Sequence, residues 1–243
     1  MNYKGDLPIV VLAGGEGTRL NFLSHRGAKI LSPIGRDIFM NYFVKNLCLL
    51  GFTEIYFIVH KSSIEVTNYW ESIKNQFDVD VTFLFDGENK LGTGGTLVKN
   101  HNVLPDFFWL TYGDTLLNWD ILEAQKKFIE SNTESLITVI RKEKVNEIPN
   151  ILIENKKIVS YSKQISINNN YVDYGALILN KKILKKYEIT GFDLEIIIND
   201  LIKNGTVDYF EVEKVFHEMG NNKSYQKLND LLLIKTVEDL WNE

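Results

Sequence analysis

The most informative stretch of this sequence is PIVVLAGGEGTRL, at residues 8–20. Its first part, Pro8–Ala13, is short, apolar and rich in β-branched residues, which is typical of a buried parallel strand. Three glycines follow at once, so the strand should end in a loop whose backbone can approach a ligand closely. The amides of such a loop can point toward one place and form a cradle for a polyphosphate. Arg19 adds a cation that can bind phosphate oxygens through two hydrogen bonds.

The next hundred or so residues alternate apolar strands with amphipathic helices. The strands are predicted at Ile55–His60, Val79–Phe85, Phe107–Tyr112 and Ser135–Arg141. The helices are predicted at Asp37–Leu50, Ser62–Gln76 and Trp119–Glu130. This alternation predicts a Rossmann-like α/β fold, in which a mostly parallel sheet is flanked by helices on both faces.

The remainder of the chain has a different pattern, with a predicted hairpin, two further strands and two helices. The hairpin joins Ile151–Glu154 to Lys157–Tyr161, the strands are Tyr171–Leu179 and Val207–Val212, and the helices are Asp193–Lys203, closed by Gly205, and Asn222–Trp241. No linker separates independent domains. We therefore expect a mixed sheet in one domain over 1–243, with a nucleotide-binding half at about 8–135 and an acceptor-binding half at about 136–243.

Composition narrows the classes of function. The 243 residues carry a formal net charge of −5, which disfavours binding to a nucleic-acid backbone. Cys48 is the only cysteine, so no disulfide can form within the chain. No apolar run reaches the ~20 residues that span a bilayer, and we expect a cytoplasmic protein that does not bind membranes. The closing amphipathic helix could pack within the domain or against a second subunit, which leaves self-association open.

Two familiar phosphate-binding motifs do not fit the glycine loop. A dinucleotide fingerprint needs Gly-x-Gly-x-x-Gly, and counting from Gly15 puts Leu20 at its last position. A P-loop ends in Gly-Lys-Ser/Thr, which does not occur in this chain. Neither Rossmann dinucleotide binding nor P-loop chemistry is therefore predicted.

The glycine loop instead resembles the opening of the sugar-1-phosphate nucleotidyltransferases. That family has roughly Leu-Ala-Gly-Gly-x-Gly-Thr-Arg-Leu followed by Pro-Lys-Pro-x-x-Pro, and this chain has LAGGEGTRL followed by AKILSP. The resemblance implies the nucleotide-diphospho-sugar transferase fold, and it implies catalytic roles for Arg19 and Lys29. Ala28 and Ile30 replace the two prolines that usually flank the lysine.

A second glycine-rich stretch, LGTGGTL at Leu91–Leu97, resembles the segment that lines the nucleoside pocket in this family. Asp86 and Glu88 precede it and are the candidates for reading the base, the alternative being a solvated acidic loop. The other expected nucleotide contacts are Leu12, Ala13, Gly14, Gly15, Gly17, Thr18, Gly92, Gly94 and Gly95.

Two carboxylates are candidates for a Mg²⁺ site. Asp114 follows a buried strand, at the edge where open α/β sheets place ligands, and Mg²⁺ takes one or two protein carboxylates beside a polyphosphate. Family members have Gly-Asp at this place, with the aspartate on the metal. Residues 216–225, FHEMGNNKSY, resemble the family segment that supplies a second acidic ligand, which maps onto Glu218.

The resemblance also implies an acceptor site. SYSKQ and VDYG resemble segments that hold the acceptor in a branch of the family, and Lys163 would bind its phosphate. Ser162 stands where the family usually has an acid. The remaining acceptor candidates are Gly113, Asp173, Tyr174 and Gly175.

Together these features predict an enzyme that condenses an NTP with a sugar 1-phosphate, or a similar phosphorylated acceptor, for bacterial surface polysaccharide. LTYGD resembles cytidylyltransferases and LGTGG resembles heptose guanylyltransferases, which favours CTP or GTP. One alternative is a glycosyltransferase that uses a nucleotide sugar, although its usual Asp-x-Asp is absent at Gly113-Asp114-Thr115. Another is a non-catalytic nucleotide-binding regulator.

Overall fold

The structure is a computed structural model that describes residues 7–15, 28–87, 91–162 and 168–242. Five of the predicted site residues lie outside the described residues: Gly17, Thr18, Arg19, Glu88 and Lys163. The chain divides into two compact units, each built from separate stretches. Unit I comprises 8–88, 112–118 and 216–243, and unit II comprises 1–7, 89–111 and 119–215.

The described residues form thirteen strands. In chain order these are β1 (Ile9–Leu12), β2 (Pro33–Ile34), β3 (Asp37–Ile38), β4 (Glu54–Val59), β5 (Asp80–Phe85), β6 (Phe107–Tyr112), β7 (Thr115–Leu116), β8 (Ser135–Arg141), β9 (Ile151–Glu154), β10 (Lys157–Tyr161), β11 (Tyr171–Asn180), β12 (Val207–Glu211) and β13 (His217–Glu218).

Seven α-helices accompany these strands in the described part of the chain. They are α1 (Phe39–Leu49), α2 (Ile64–Ile73), α3 (Gly92–Asn100), α4 (Ile121–Ser131), α5 (Leu194–Asn204), α6 (Asn222–Ile234) and α7 (Val237–Trp241). Short 3-10 turns lie at Lys29–Leu31, Lys74–Gln76, Lys142–Lys144 and Lys181–Lys186. None of the helices in these described ranges combines the length and apolarity that a bilayer crossing requires.

Unit I is built on three parallel strands, with β4 between β1 and β5. Leu12 pairs with Ile58, and Val59 pairs with Phe85, so the three strands end side by side. β1 is buried almost throughout, which explains its continuous apolar run. The carboxyl ends of parallel strands form the edge where α/β proteins bind ligands.

Aromatic rings fix α1 against this sheet. The ring of Phe43 on α1 lies 6.2 Å from that of Phe57 on β4, and Phe57 stacks on Phe83 of β5 at 5.6 Å. The apolar face of α1 is buried and consists of Phe39, Met40, Phe43, Val44 and Leu47. Gly51 follows the helix with φ +94°, as a left-handed cap requires.

Two small sheets complete unit I. β2 pairs with β3 as a tight hairpin, and β7 pairs antiparallel with β13. α6 is attached to the β2–β3 hairpin because Tyr225 donates a hydrogen bond to the carbonyl of Pro33 and the side chain of Asn229 accepts one from the amide of Gly35. The stretch after residue 216 is thereby tied to the residues just beyond Lys29.

Unit II is centred on β11, which pairs antiparallel with β6, β8 and β9. β12 runs parallel to β8, and β9 and β10 form the predicted hairpin, with positive φ angles at Asn155 and Lys156. α3 and α5 contact each other, and α5 ends at Gly205 in the left-handed conformation. Parallel and antiparallel pairs thus coexist, and the predicted mixed α/β fold with flanking helices is confirmed.

One prediction about an element needs correction. The predicted single helix at Asn222–Trp241 is two helices, because the chain leaves the helix at Lys235 and Thr236 caps a new one by accepting a hydrogen bond from the amide of Asp239. The sequence analysis assigned no element to the glycine-rich stretch after Leu91, and its residues from Gly92 onward form α3.

Candidate active site

The side chains of Lys29 and Asp114 meet in unit I. The ammonium nitrogen of Lys29 lies 2.6 Å from Oδ2 of Asp114, and the two side chains are 14% and 29% exposed. The hydroxyl of Thr115 donates to the other carboxylate oxygen at 3.0 Å. Partial burial strengthens this charge-assisted contact relative to one in open water. Of the residues that the sequence analysis named as catalytic, the structure describes Lys29 and Asp114, and these two are neighbours.

Lys29 is held by the backbone rather than by flanking prolines. It begins a 3-10 turn whose Ile30 is buried, and its amide donates to the carbonyl of Gly15 at 3.1 Å. The amide of Ala28 donates to Glu65 of α2 at 3.3 Å. These contacts tie the lysine to the glycine loop after β1 and fix its backbone without the two prolines of the family pattern.

Asp114 lies in a short turn beside the end of β1. The amide of the preceding Gly113 donates to the carbonyl of Leu12 at 3.0 Å. The carbonyl of Asp114 accepts a hydrogen bond from the amide of Met219 at 3.0 Å. The backbone on both sides of the carboxylate is therefore bonded within unit I, which restricts where the side chain can point.

Glu218 is brought close to Asp114 by strand pairing. β13 runs antiparallel to β7, and Glu218 is opposite Thr115, the residue after Asp114. The carboxylate of Glu218 folds over Gly220, since a Cβ at Gly220 would lie 2.9 Å from one of its oxygens. One predicted metal ligand thus lies on β13, and the other immediately precedes its partner strand β7.

His217, beside Glu218, is neutral at physiological pH. Burial lowers the pKa of its imidazole to about 4, and the charges of Lys227 and Lys235 add to this effect. The two lysines disfavour protonation of the imidazole because a protonated ring would carry a positive charge close to theirs. The imidazole therefore adds no positive charge near the two carboxylates.

Asp86 lies at the same strand edge as the glycine loop. Its amide donates to the carbonyl of Val59 at 3.1 Å, which continues the pairing of β5 with β4. A Cβ on Gly14 would lie 3.2 Å from Oδ2 of Asp86 and 3.6 Å from the amide nitrogen of His60. The Asp86 carboxylate therefore lies close to the backbone of the proposed phosphate cradle, and its role in reading the base stays a prediction.

The predicted base segment in unit II packs against another part of that unit. The amides of Gly94 and Gly95 both donate to the carbonyl of Phe192, at 3.0 and 3.2 Å. These two amides at the start of α3 are therefore not available to a ligand. Gly92, Gly94 and Gly95 remain predicted nucleotide contacts, but they also have a packing role that the sequence analysis missed.

The described acceptor candidates of unit II lie on β11. Asp173 accepts hydrogen bonds from the hydroxyl of Tyr161 at 2.7 Å and from the amide of Gly175 at 2.9 Å. The register of β11 against β8 shifts between Asp173 and Leu177, and Gly175 lies in this bulge with φ +94°. Tyr174 is only 1% exposed, so its ring packs in the core of the unit. Their contacts with the acceptor stay predictions.

Sequence reasoning missed two residues that shape this site. Thr115 bonds directly to Asp114, and Gly220 leaves room for the Glu218 carboxylate. Neither has a residue type that signals catalysis on its own. Within the described ranges, no group of three or more His, Cys, Asp and Glu side chains could enclose a metal ion. A metal at Asp114 and Glu218 would therefore take its other ligands from water and phosphate.

Known proteins resemble this chain over most of its length. The profile of the family described as "Nucleotidyl transferase" matches residues 9–233. A glucose-1-phosphate adenylyltransferase from Clostridium novyi is 26% identical over 270 residues, and the match covers 99% of this chain and 70% of that protein. A mannose-1-phosphate guanyltransferase from Emericella nidulans is 22% identical, and the match covers 89% of this chain and 61% of that protein.

Solved structures show the same fold. HddC from Yersinia pseudotuberculosis, in its complex with GMP-PN, superposes with a TM-score of 0.75 at 24% identity. The superposition covers 93% of this chain and 99% of that one. The chain spans less than two thirds of the fungal guanyltransferase.

Proposed function

The chain belongs to the nucleotidyl transferase family, and we propose that it transfers a nucleoside monophosphate from an NTP to a sugar 1-phosphate. The product would be an NDP-sugar, with pyrophosphate released. The observation that carries this proposal is the contact of Lys29 with Asp114 at 2.6 Å, beside the glycine loop after β1. The names of the adenylyl- and guanyltransferase relatives, which are for glucose and mannose 1-phosphates, support it.

The chemistry needs no general base. A phosphate monoester has a second pKa near ~6, so the acceptor is largely a dianion at neutral pH. One of its oxygens forms a bond to the α-phosphorus, and the bond from that phosphorus to the pyrophosphate oxygen breaks. The electron pair of the broken bond leaves with pyrophosphate. The protein has to bring two anions together and stabilise the charge that spreads over the phosphate oxygens.

The cation and the carboxylates of unit I are suited to that task. Lys29 would bind the α-phosphate, and Asp114 would hold its ammonium in place until the nucleotide competes for it. Arg19 would bind the leaving phosphates. Neutral His217 adds no positive charge beside Glu218.

Asp114 and Glu218 fit Mg²⁺ by the chemistry of their donor atoms. Both present hard carboxylate oxygens. Glu218 lies on β13, and Asp114 immediately precedes β7, the strand with which β13 pairs. Mg²⁺ usually binds one or two protein carboxylates together with water and substrate phosphates. When bound, the ion supplies charge neutralisation and a template for the phosphate oxygens.

The nucleotide and the acceptor remain to be identified. A carboxylate such as that of Asp86 accepts hydrogen bonds from an exocyclic amino group, which cytosine, guanine and adenine have and uracil and thymine lack. Among these bases we propose cytosine or guanine, from the resemblance of LTYGD and LGTGG to cytidylyl- and guanylyltransferases. The complex of HddC with GMP-PN, a guanine nucleotide, supports GTP. We further propose that the sugar nucleotide is made in the cytoplasm and serves bacterial surface polysaccharide.

A screen of pyrophosphate release tests the proposed function. CTP, GTP, UTP, ATP and dTTP would each be incubated with Mg²⁺ and a panel of sugar 1-phosphates, including glucose, mannose and heptose 1-phosphates. We expect release that requires one NTP and one acceptor together, with formation of the corresponding NDP-sugar. NTP binding without release on any acceptor, or sugar transfer from a preformed nucleotide sugar, would contradict the proposal.

A further inference from the structure

The segment Thr190–Asp193 is fastened along the glycine-rich Leu91–Gly95 stretch of unit II. The amide of Phe192 donates to the carbonyl of Leu91 at 3.0 Å. In return, the carbonyl of Phe192 accepts from Gly94 and Gly95 at 3.0 and 3.2 Å. Three backbone hydrogen bonds therefore converge on one residue that lies about a hundred positions later in the chain.

The glycines permit this close approach. A Cβ on Gly94 would lie 2.4 Å from the ring of Phe192, and one on Gly95 would lie 2.0 Å from the carbonyl oxygen of Thr190. Gly92 has φ +66°, and a Cβ there would meet the carbonyl of Phe192 at 2.5 Å. A side chain at Gly92 or Gly95 would push the two segments apart, because a backbone contact under 3.0 Å cannot be relieved by a rotamer change, and a side chain at Gly94 would displace the ring of Phe192.

The segment is itself anchored on both sides. The ring of Phe192 lies 5.6 Å from that of Tyr187, and Tyr187 donates to Asp200 of α5 at 2.8 Å. Thr93 donates to the carboxylate of Asp193 at 2.7 Å and accepts from the amide of Leu194 at 2.8 Å. The starts of α3 and α5 are thus joined through one threonine.

We propose that Phe192 is a positioning residue for the nucleotide, because it holds the Leu91–Gly95 segment in the conformation that binds the base. This inference rests on the proposed function, in which that segment contacts the nucleoside. A stretch with three glycines loses much conformational entropy when it is ordered, so an isolated segment would bind a base weakly. Phe192 holds the segment ordered before the nucleotide arrives, which raises affinity for the nucleotide and leaves the chemistry unchanged.

The test compares three variants of the full chain. Phe192→Ala removes the ring from Gly94 and Tyr187 but retains the backbone bonds, and Phe192→Leu restores an apolar side chain. Phe107→Ala is the matched control, since Phe107 is also a half-buried phenylalanine of unit II, with its ring 5.9 Å from Phe128. Dissociation constants for the NTP are measured by calorimetry without acceptor, and melting temperatures report folding.

We expect Phe192→Ala to weaken NTP binding about tenfold, the size typical of losing one aromatic packing contact. Phe192→Leu should recover much of the affinity, and Phe107→Ala should bind the NTP as the wild type does at 25 °C. In turnover, Phe192→Ala should raise the NTP KM, with kcat and the acceptor KM within about twofold of wild type. Unchanged NTP affinity in Phe192→Ala, or equal losses in both alanine variants, would overturn the inference.

This design separates the inference from the proposed function. If the wild type binds an NTP but releases pyrophosphate with no acceptor, the proposed function fails, while the binding comparison still decides the role of Phe192. If the wild type releases pyrophosphate and Phe192→Ala binds the NTP normally, the inference alone fails. A wild type that binds no NTP overturns both.

Discussion

The carboxylate of Asp114 has a different partner on each oxygen, the ammonium of Lys29 on one and the hydroxyl of Thr115 on the other. Both contacts orient the group without enclosing it, since the side chain stays 29% exposed. A carboxylate that is oriented and partly open can exchange the lysine for a metal ion and lets the lysine move to a phosphate. This is the arrangement expected of preorganised electrostatic catalysis.

We expect Asp114→Asn to lower kcat by ~10²–10³, the usual cost of removing one preorganised electrostatic contact. The fold should persist, because asparagine keeps an oxygen that can accept from Lys29. Steady-state kinetics with the best substrate pair from the pyrophosphate screen measure the first effect, and thermal melting measures the second. Asp80→Asn, at an exposed position at the start of β5, is the control and should retain full activity. Turnover of Asp114→Asn within a few-fold of wild type would refute the role of Asp114.

Sequence reasoning reached Asp114 and Lys29 because their residue types stand in motifs that a local pattern can reveal. It could not reach Thr115 or Gly220. A threonine after an aspartate and a glycine in a turn are ordinary, and their relation to the two carboxylates arises only when β7 and β13 pair. It also could not show that Tyr174 is buried, because burial depends on which face of β11 is covered.

At the level of secondary-structure elements, one buried asparagine side chain holds the short stretch that contains Asp114. Asn46 of α1 is fully buried, and its side chain donates to the carbonyl of Leu117 at 3.1 Å. It also accepts from the indole of Trp241 on α7 at 3.0 Å. α1, α7 and the stretch 112–118 are therefore joined at a single side chain inside unit I.

Asn46→Leu should lower the free energy of unfolding by ~1–3 kcal/mol, because it leaves a buried carbonyl and an indole N–H without these hydrogen bonds. Urea denaturation followed by tryptophan fluorescence measures the change. Asn68→Leu is the same substitution at an exposed position of α2 and should alter stability by less than ~0.5 kcal/mol. Equal stability of Asn46→Leu and wild type would show that the two bonds contribute nothing.

The elements themselves could largely be predicted where hydrophobic periodicity is strong. β6, β8 and the β9–β10 hairpin have the bounds that the sequence analysis expected. α3 was not predicted because its first turn contains three glycines, which disfavour a helix unless tertiary contacts stabilise it. The break between α6 and α7 at Lys235 was not predicted, because apolar residues continue at helical spacing on both sides of it.

At the scale of the whole molecule, alkaline pH should weaken the fold through tyrosines whose pKa is raised. Burial raises the pKa of Tyr171 to about 12, helped by the hydrogen bond that it donates to Glu211. Arg141 lies over the same ring and also pairs with Glu211, which joins β8, β11 and β12. The folded protein therefore retains this proton in a range where the unfolded chain, with tyrosine near ~10, has lost it.

Proton linkage gives the direction in which stability changes with pH. Below pH ~10 both states keep the proton and stability is unaffected, whereas between pH ~10 and 12 the unfolded state ionises first and is favoured. We expect the urea midpoint to fall as pH rises through this window, and the fall to be smaller in Tyr171→Phe. Part of it should remain, because the pKa of Tyr56 is also raised to about 12. Parallel curves for the two proteins would contradict this account.

The division into two units could not be predicted from local patterns. The sequence analysis predicted one domain with a nucleotide-binding half and an acceptor-binding half that meet at about residue 135, and this functional division stays a prediction. The compact units of the structure are composed of separate stretches that alternate along the chain. Periodicity identifies a strand but does not say which distant strand it joins, so stretches as short as 112–118 cannot be assigned to a unit before their partners are known.

This interleaving has a consequence for synthesis. Thr115 and its strand partner Glu218 are separated by about a hundred residues, so at ~5–20 residues per second a ribosome needs roughly 5–20 s to deliver the partner. Throughout that interval the nascent Asp114 turn has no β13 beside it. The two carboxylates proposed to bind the metal can therefore come together only after β13 has been synthesised, and a shorter nascent chain carries Asp114 without the second carboxylate.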